Sequence, residues 1–219
     1  MAEAGYALEV LKADGVVLET HARGTYLGDA RLRPLFAELD RRKAVVLIHP
    51  TAPPDPCGAS AAQAPALGYP QPVLEFMFET TRCVTQLILS GTLARYPEVR
   101  VIVPHAGAAL PTLAGRVQLL AAMLDPLSQK DIRAEMKNLH YDLAGAPLPE
   151  ALGALLQIAD PGRIHYGSDW PFTPAGVCGD LAAQLDATPL LAGGLLEAVM
   201  HGNTERLFPR FARSTNPSA

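Results

Sequence analysis

Three scarcities narrow the class of this chain before any motif is read. Its 219 residues hold only three cysteines, Cys57, Cys83 and Cys178. An odd number of widely spaced thiols with no CxxC pair argues against a disulfide framework and against a cysteine-built zinc site. A reducing, cytoplasmic setting is the expectation. No apolar run approaches the ~20 residues that span a bilayer. The opening residues, Met1-Ala2-Glu3-Ala4-Gly5-Tyr6, carry no basic n-region or apolar h-region, so no membrane partner is expected. Basic residues are also outnumbered, 18 Lys and Arg against 22 Asp and Glu, for a net charge of −4. That leaves no basic face for nucleic acid.

What is present reads as one ordinary globular domain, with 49% apolar and 18% charged residues. Its expected extent is 1–212, followed by a disordered polar tail over 213–219. The 20 prolines and 18 glycines alternate with periodic apolar segments, the mark of many strand–helix loops. Residues 3–13 read as the end of a helix, Gly15 to Glu19 as a strand, and Thr20 to Gly28 as a loop. Asp29 caps an amphipathic helix bearing Leu32, Leu35, Phe36 and Leu39. Ala44 to Ile48 is the next strand and ends on His49.

Pro50 to Pro72 is proline-rich without apolar periodicity, a length that suggests a lid or substrate-binding segment. A long helix is predicted over Val73 to Tyr96, closed by Pro97. Strand Val99 to Pro104, helix Leu113 to Leu124, strand Asn138 to Leu143, helix Leu148 to Ala159 and strand Arg163 to Gly167 follow. The remainder reads as helical to Phe208. Strands alternating with helices specify a parallel sheet with crossover helices. Five strands leave two plans open: an open doubly wound sheet, or the last five-eighths of a closed (β/α)8 barrel.

Three strand-like runs end on a side chain able to do chemistry, where α/β proteins place their sites. His49 is either a strand-end histidine bonded to backbone or a ligand for a divalent metal. Asp169, in Gly167-Ser168-Asp169-Trp170-Pro171-Phe172, is either a cap before a turn or a ligand or base. His105, with Gly107 close behind, is a ligand or a general acid/base. Arg116 is a solvated charge or a carboxylate clamp, for which the guanidinium fork is suited; Arg82 invites the same two readings. His21 reads as a solvated loop residue, His140 and His165 as core or wall residues, and His201 as structural. Cys57 has no base placed beside it.

At these residues the chain resembles the metal-dependent amidohydrolase-related family that includes aminocarboxymuconate semialdehyde decarboxylase. The matching pieces are Ile48-His49-Pro50, Pro104-His105-Ala106-Gly107 with Leu110-Pro111 and Arg116, Tyr141-Asp142, Gly167 to Phe172, and Gly202-Asn203 with Arg206-Leu207-Phe208. Tyr26-Leu27-Gly28-Asp29, His49-Pro50-Thr51 and Glu79-Thr80-Thr81-Arg82 most resemble the branch containing 6-methylsalicylate decarboxylase. The resemblance implies a TIM-type barrel with one divalent metal, zinc or manganese. It puts metal ligands at His49 and Asp169, an acid/base at His105 and a substrate-carboxylate arginine at Arg116. Arg82, His21 and Trp170 are further candidates for substrate contact. In relatives the arginine can come from a neighbouring subunit, which implies a homodimer.

Two departures from the family pattern stand out. A second glycine after His-Ala-Gly is replaced by Ala108, which narrows the pocket by a methyl. The family's first strand also carries a His-x-His or Glu-x-His pair supplying two more ligands, and nothing before Gly15 does so. The expectation is therefore an N-terminally truncated member with about the last five βα units. It should bind metal poorly, turn over slowly or not at all, and expose the apolar inner layer of the barrel. The implied reaction is non-oxidative decarboxylation of an aromatic or unsaturated carboxylic acid, salicylate-like. The alternatives are metal-assisted hydrolysis of a lactone, ester or amide, and a chain without catalysis.

Overall fold

The order in which the strands pair decides between the two α/β plans. The computed structural model describes residues 2–54, 68–124 and 131–212. Five strands, β1 (Gly15–Glu19), β2 (Val45–His49), β3 (Arg100–Val103), β4 (His140–Asp142) and β5 (Ile164–His165), lie side by side in chain order. Every neighbouring pair is parallel. Right-handed crossovers between strands whose order never reverses pass over the same face, whereas a doubly wound sheet reverses midway. The winding is therefore that of a TIM-type barrel, present here as an open five-stranded sheet with β1 and β5 at its edges.

Burial follows from that winding. On the helix-covered face Val46, Ile48, Val103, Tyr141 and Ile164 are fully buried. Each such aliphatic side chain contributes about 1.5–3 kcal/mol over leaving it in water. On the opposite face Val17 is 62% exposed, and Leu47 and Ile102 border a concave cleft of about 460 Å³. The near-continuous apolar run of β2 is that of a strand covered on both sides, although Leu47 on the cleft face is only partly buried here.

Several elements differ from expectation for local reasons. The loop over Thr20 to Gly28 contains a small antiparallel hairpin, His21–Ala22 paired with Thr25–Tyr26. Arg23 and Gly24, at φ 50° and 77°, provide the two left-handed residues of its turn. The helix predicted over Val73 to Tyr96 is divided into Glu75–Leu89 and Thr92–Arg95, because Gly91 adopts φ 72° between them. An unexpected helix, Ile132–Asn138, is capped by Asp131, whose carboxylate accepts the N–H groups of Arg133 and Ala134. Beyond Ala175–Ala187 the expected continuous helix breaks at Pro189 and at Gly193-Gly194, and resumes at Leu195, passing through a π-helical stretch, Ala198–Gly202, into Asn203–Leu207. Among the described residues no helix is long and apolar enough to cross a membrane. Cys57, most of the expected lid and the tail over 213–219 lie outside the described residues.

Candidate active site

Each of the three side chains singled out at a strand end arrives at the same place. His49 closes β2, His105 follows β3 after Pro104, and Asp169 follows β5. All three line one cavity of about 600 Å³, walled by Leu74, Phe76, Met77, Phe172 and a group of alanines. His105 Nε2 lies 3.9 Å from Asp169 Oδ2. The ring of His49 sits 6.5 Å from that of Phe76 and 6.1 Å from that of Phe172. Pro72, at the far end of the expected lid, and Val73 and Leu74 directly after it complete one side.

The backbone around this cavity is strained. Among the described residues seven non-glycine residues have positive φ, and four of them are His105, Ala106, Ala108 and Asp169. Such conformations cost free energy and cluster where a side chain must be aimed. Gly107, between them at φ 81°, sits where a side chain would be strained and crowded: a β-carbon would lie 3.2 Å from Pro111 and 3.3 Å from Tyr141. Asp142 holds the turn. Its Oδ1 accepts the N–H of His105 and the N–H of Ala144, each at 3.0 Å. Burial pushes the Asp142 carboxyl above the usual carboxylate range, the charge of Asp169 adding to the effect and the two N–H bonds opposing it. The Thr173 hydroxyl donates to Asp169 Oδ2 at 3.4 Å. His105 Nδ1 is buried with no hydrogen-bond partner among the described residues.

A catalytic divalent site commonly takes three protein ligands. Among the described residues no group of three or more His, Cys, Asp or Glu side chains is placed to hold an ion. His49 and Asp169 are two donors of suitable chemistry facing one cavity, and the described residues do not complete the set.

The other sequence-derived candidates lie elsewhere. Arg116 and Arg82 share a second groove, between Glu75–Leu89 and Leu110–Leu124, with Phe78 and Leu120. Arg82 is paired there with Glu79. His21 is buried rather than solvated. Its Nε2–H donates to the Ala52 carbonyl at 2.9 Å and its Nδ1 accepts the Gly24 N–H at 3.2 Å, so neither nitrogen keeps a free lone pair for a substrate or metal. Trp170 is 65% exposed, and Phe172 rather than Trp170 lines the cavity. His140 and His165 are buried neighbours within the sheet, as expected of wall residues.

The family model described as Amidohydrolase matches residues 1–210. The chain belongs to the amidohydrolase family. It is 38% identical over 216 residues to decarboxylase yanB of Aspergillus niger, covering 95% of this chain and 58% of that protein. It is 37% identical over 222 residues to 6-methylsalicylic acid decarboxylase acuB of Aspergillus aculeatus, covering 97% and 65% respectively. A crystal structure of amidohydrolase II superposes with a TM-score of 0.84 at 33% identity, over 94% of this chain and 65% of that one. The chain thus spans roughly three-fifths of the length of these curated relatives.

Within this amidohydrolase chain, two carboxylates gain importance that sequence reasoning did not assign. Asp142 was visible only as part of the Tyr141-Asp142 pair, although its place at the end of a buried strand was a usable signal. Glu79 is fully buried and accepts the Tyr26 hydroxyl at 2.5 Å and the Arg82 guanidinium. Burial in turn pushes the Tyr26 phenol above its ordinary value. The apolar wall contributed by Phe76 carries no motif of its own, whereas Phe172 ends the Gly167 to Phe172 motif.

Proposed function

We propose that this chain carries the acid–base group and part of the metal-binding set of a non-oxidative decarboxylase acting on a salicylate-like aromatic carboxylic acid. One observation carries the reading: His49, His105 and Asp169 face a single cavity whose other walls are alkyl and aromatic. Such a cavity suits a flat ring with its polar groups at one end. The similarity to 6-methylsalicylic acid decarboxylase acuB supports the same substrate class.

His49 and Asp169 would hold one divalent cation, zinc or manganese, which when bound supplies Lewis-acid polarisation of the substrate carboxylate or neighbouring hydroxyl. His105 acts as general acid. Its proton goes to the ring carbon as the bond to the carboxylate breaks; the electron pair of that bond stays on the ring and CO2 departs. Asp169 Oδ2 lies 3.9 Å from His105 Nε2, so the candidate metal ligand and the candidate acid stand side by side at one end of the cavity. Phe76 and Phe172 offer apolar surface to the ring.

Arg116 lies away from its own chain's cavity, beside Arg82 in the groove between two helices. We propose a homodimer in which Arg116 serves the neighbour's pocket as the carboxylate clamp. The exposed apolar residues Leu119 and Met123 on the same helix support that surface as the contact. Free thiols at Cys83 and Cys178 suit the reducing cytoplasm, the compartment we propose.

The deciding experiment is CO2 release from a panel of hydroxybenzoates with added Mn2+ or Zn2+. The expected outcome is slow conversion of 6-methylsalicylate to 3-methylphenol, reduced at least about 100-fold by His105→Gln. Ring opening of a lactone, or ester cleavage, with no CO2 from any hydroxybenzoate would replace this reading with metal-assisted hydrolysis.

A further inference from the structure

The Glu79-Thr80-Thr81-Arg82 motif takes no part in the chemistry above, yet Thr81 joins two walls of the cavity. It lies on helix Glu75–Leu89 and is 6% exposed. Its hydroxyl accepts the Ala109 N–H at 3.0 Å across 28 residues of chain. An N–H can only donate, so the hydroxyl proton must go elsewhere, and it goes to the Met77 carbonyl at 2.7 Å. Bonding to a carbonyl four residues earlier is ordinary for a helical threonine. The bond to Ala109 is not, because it satisfies a donor outside the helix. Met77 and Ala109 both line the cavity.

Ala109 directly follows the left-handed run that begins at His105. Within that run the Gly107 and Ala108 N–H groups donate to the Pro104 and His105 carbonyls, at 3.1 and 2.9 Å. At its two ends the N–H groups are taken by side chains of other elements, His105 by Asp142 and Ala109 by Thr81. Ala109 stands at the start of helix Leu110–Leu124, where its N–H has no intrahelical acceptor. Four successive residues of positive φ persist only when their surroundings over-determine them. Thr81 supplies the second fixed point. Two positions earlier, Glu79 ties the same turn of helix to the hairpin through Tyr26. Thr20, directly before that hairpin, donates its N–H to the His49 carbonyl at 3.0 Å. One turn of helix is thus braced toward both histidine-bearing strand ends.

We propose that Thr81 is a positioning residue for His105. Its hydroxyl anchors the far end of the turn to the helix that carries Phe76 and Met77, and so sets where the imidazole points relative to those walls. The catalytic meaning of that aim rests on the aromatic-acid reading above; the positioning itself needs no substrate.

The test is NMR of the intact 219-residue chain and of Thr81→Val, Thr81→Ser and Val84→Ala, with the His105 ring signal assigned by its loss in His105→Gln. Valine keeps the shape and loses the acceptor, whereas serine keeps the acceptor. Val84, fully buried on the same helix and not among the cavity walls, controls for lost stability. Thr81→Val is expected to displace the His105 ring signal and to speed exchange of the Ala109 amide about tenfold. Thr81→Ser should keep both as in the wild type, and Val84→Ala should lower Tm without displacing His105. In CO2 release from 6-methylsalicylate with Mn2+, Thr81→Val should lower kcat about tenfold with KM nearly unchanged. A ring signal that stays in place in Thr81→Val, or moves as far in Val84→Ala, overturns the proposal. So does a wild-type Ala109 amide that exchanges as fast as an open one, a result that needs no variant to fold. Absence of CO2 from the wild type overturns the aromatic-acid reading alone, and the ring signals still decide the role of Thr81.

Discussion

Asp142 and His105 are joined across 37 residues of chain by one bond, the His105 N–H donated to Asp142 Oδ1 at 3.0 Å. The same oxygen accepts the Ala144 N–H. The carboxylate at the end of β4 thereby pins the turn at the end of β3, in which His105 and its three successors all have positive φ. Without that acceptor, the left-handed run has lost the group that selects it over ordinary extended backbone.

Asp142→Ala is accordingly expected to destabilise the fold by about 2–4 kcal/mol, leaving two backbone donors to find other partners. Asp142→Asn keeps an oxygen in the same place and should lose less than half as much. Urea unfolding of the two variants reads the difference. Equal losses would mean that the charge, rather than the acceptor, holds the turn.

The reasons some features are readable from the chain and others are not are physical. Buried parallel strands spell continuous Val and Ile runs, so the ends of β2, β3 and β5 announce His49, His105 and Asp169 without any knowledge of contacts. The role of Asp142 depends on a partner 37 positions away, and an alternating Asn-Leu-His-Tyr-Asp-Leu segment reads equally well with that aspartate in water. The hairpin at His21 escapes notice because each of its strands is two residues long, too short for any periodicity. The open choice between doubly wound sheet and barrel closes only on strand order, a property of pairing between distant segments and not of any one segment.

Two donors facing one cavity set an expectation for metal. After desalting, the 219-residue chain should retain well under one equivalent of Mn2+ or Zn2+, and titrated Mn2+ should bind weakly. His49→Ala and Asp169→Asn should each weaken that binding further. Elemental analysis showing about one tightly held equivalent would overturn the expectation of an incomplete ligand set, and Mn2+ binding indifferent to both substitutions would remove His49 and Asp169 from the metal role.

The buried Glu79 carboxylate connects the hairpin to helix Glu75–Leu89 through the Tyr26 hydroxyl. Tyr26→Phe leaves a buried carboxylate oxygen short of a donor, since His21 Nε2 stands 3.7 Å away and is already bonded to Ala52. A loss of about 1.5–3 kcal/mol is expected. Arg31→Ala, which removes a well-formed but exposed pair with Asp29, should leave the urea midpoint close to wild type. A reversed ranking of the two variants would deny Glu79 its structural role.

His140 and His165 lead to a prediction about acid. Arg163 Nη1 donates to His140 Nε2 at 3.2 Å, so His140 carries its proton on Nδ1 and donates it to His165 Nε2 at 2.9 Å. His165 in turn donates from Nδ1 to the Thr204 hydroxyl at 3.1 Å. Each ring holds one proton, and a second on either would face another donor. Burial, with the charges of His165 and Arg163 behind it, pushes His140 down to about 3. Burial and Arg206 push His165 down to about 4. Both values lie below the unfolded value of about 6.5, so between about pH 6.5 and 4 the unfolded chain binds more protons than the folded one. The stability these rings contribute is complete above about pH 6.5 and is lost as pH falls toward 4, with a slope approaching about 2.7 kcal/mol per pH unit for two protons. Glu38, held down to about 2 by Arg41 and Arg42, gives up its own contribution only below the ordinary carboxylate range. Urea midpoints measured from pH 7.5 to 4.5 should therefore fall steeply in the wild type and with about half the slope in His140→Gln. A flat profile, or a slope that His140→Gln leaves intact, would show that the pair is not held neutral in the folded chain.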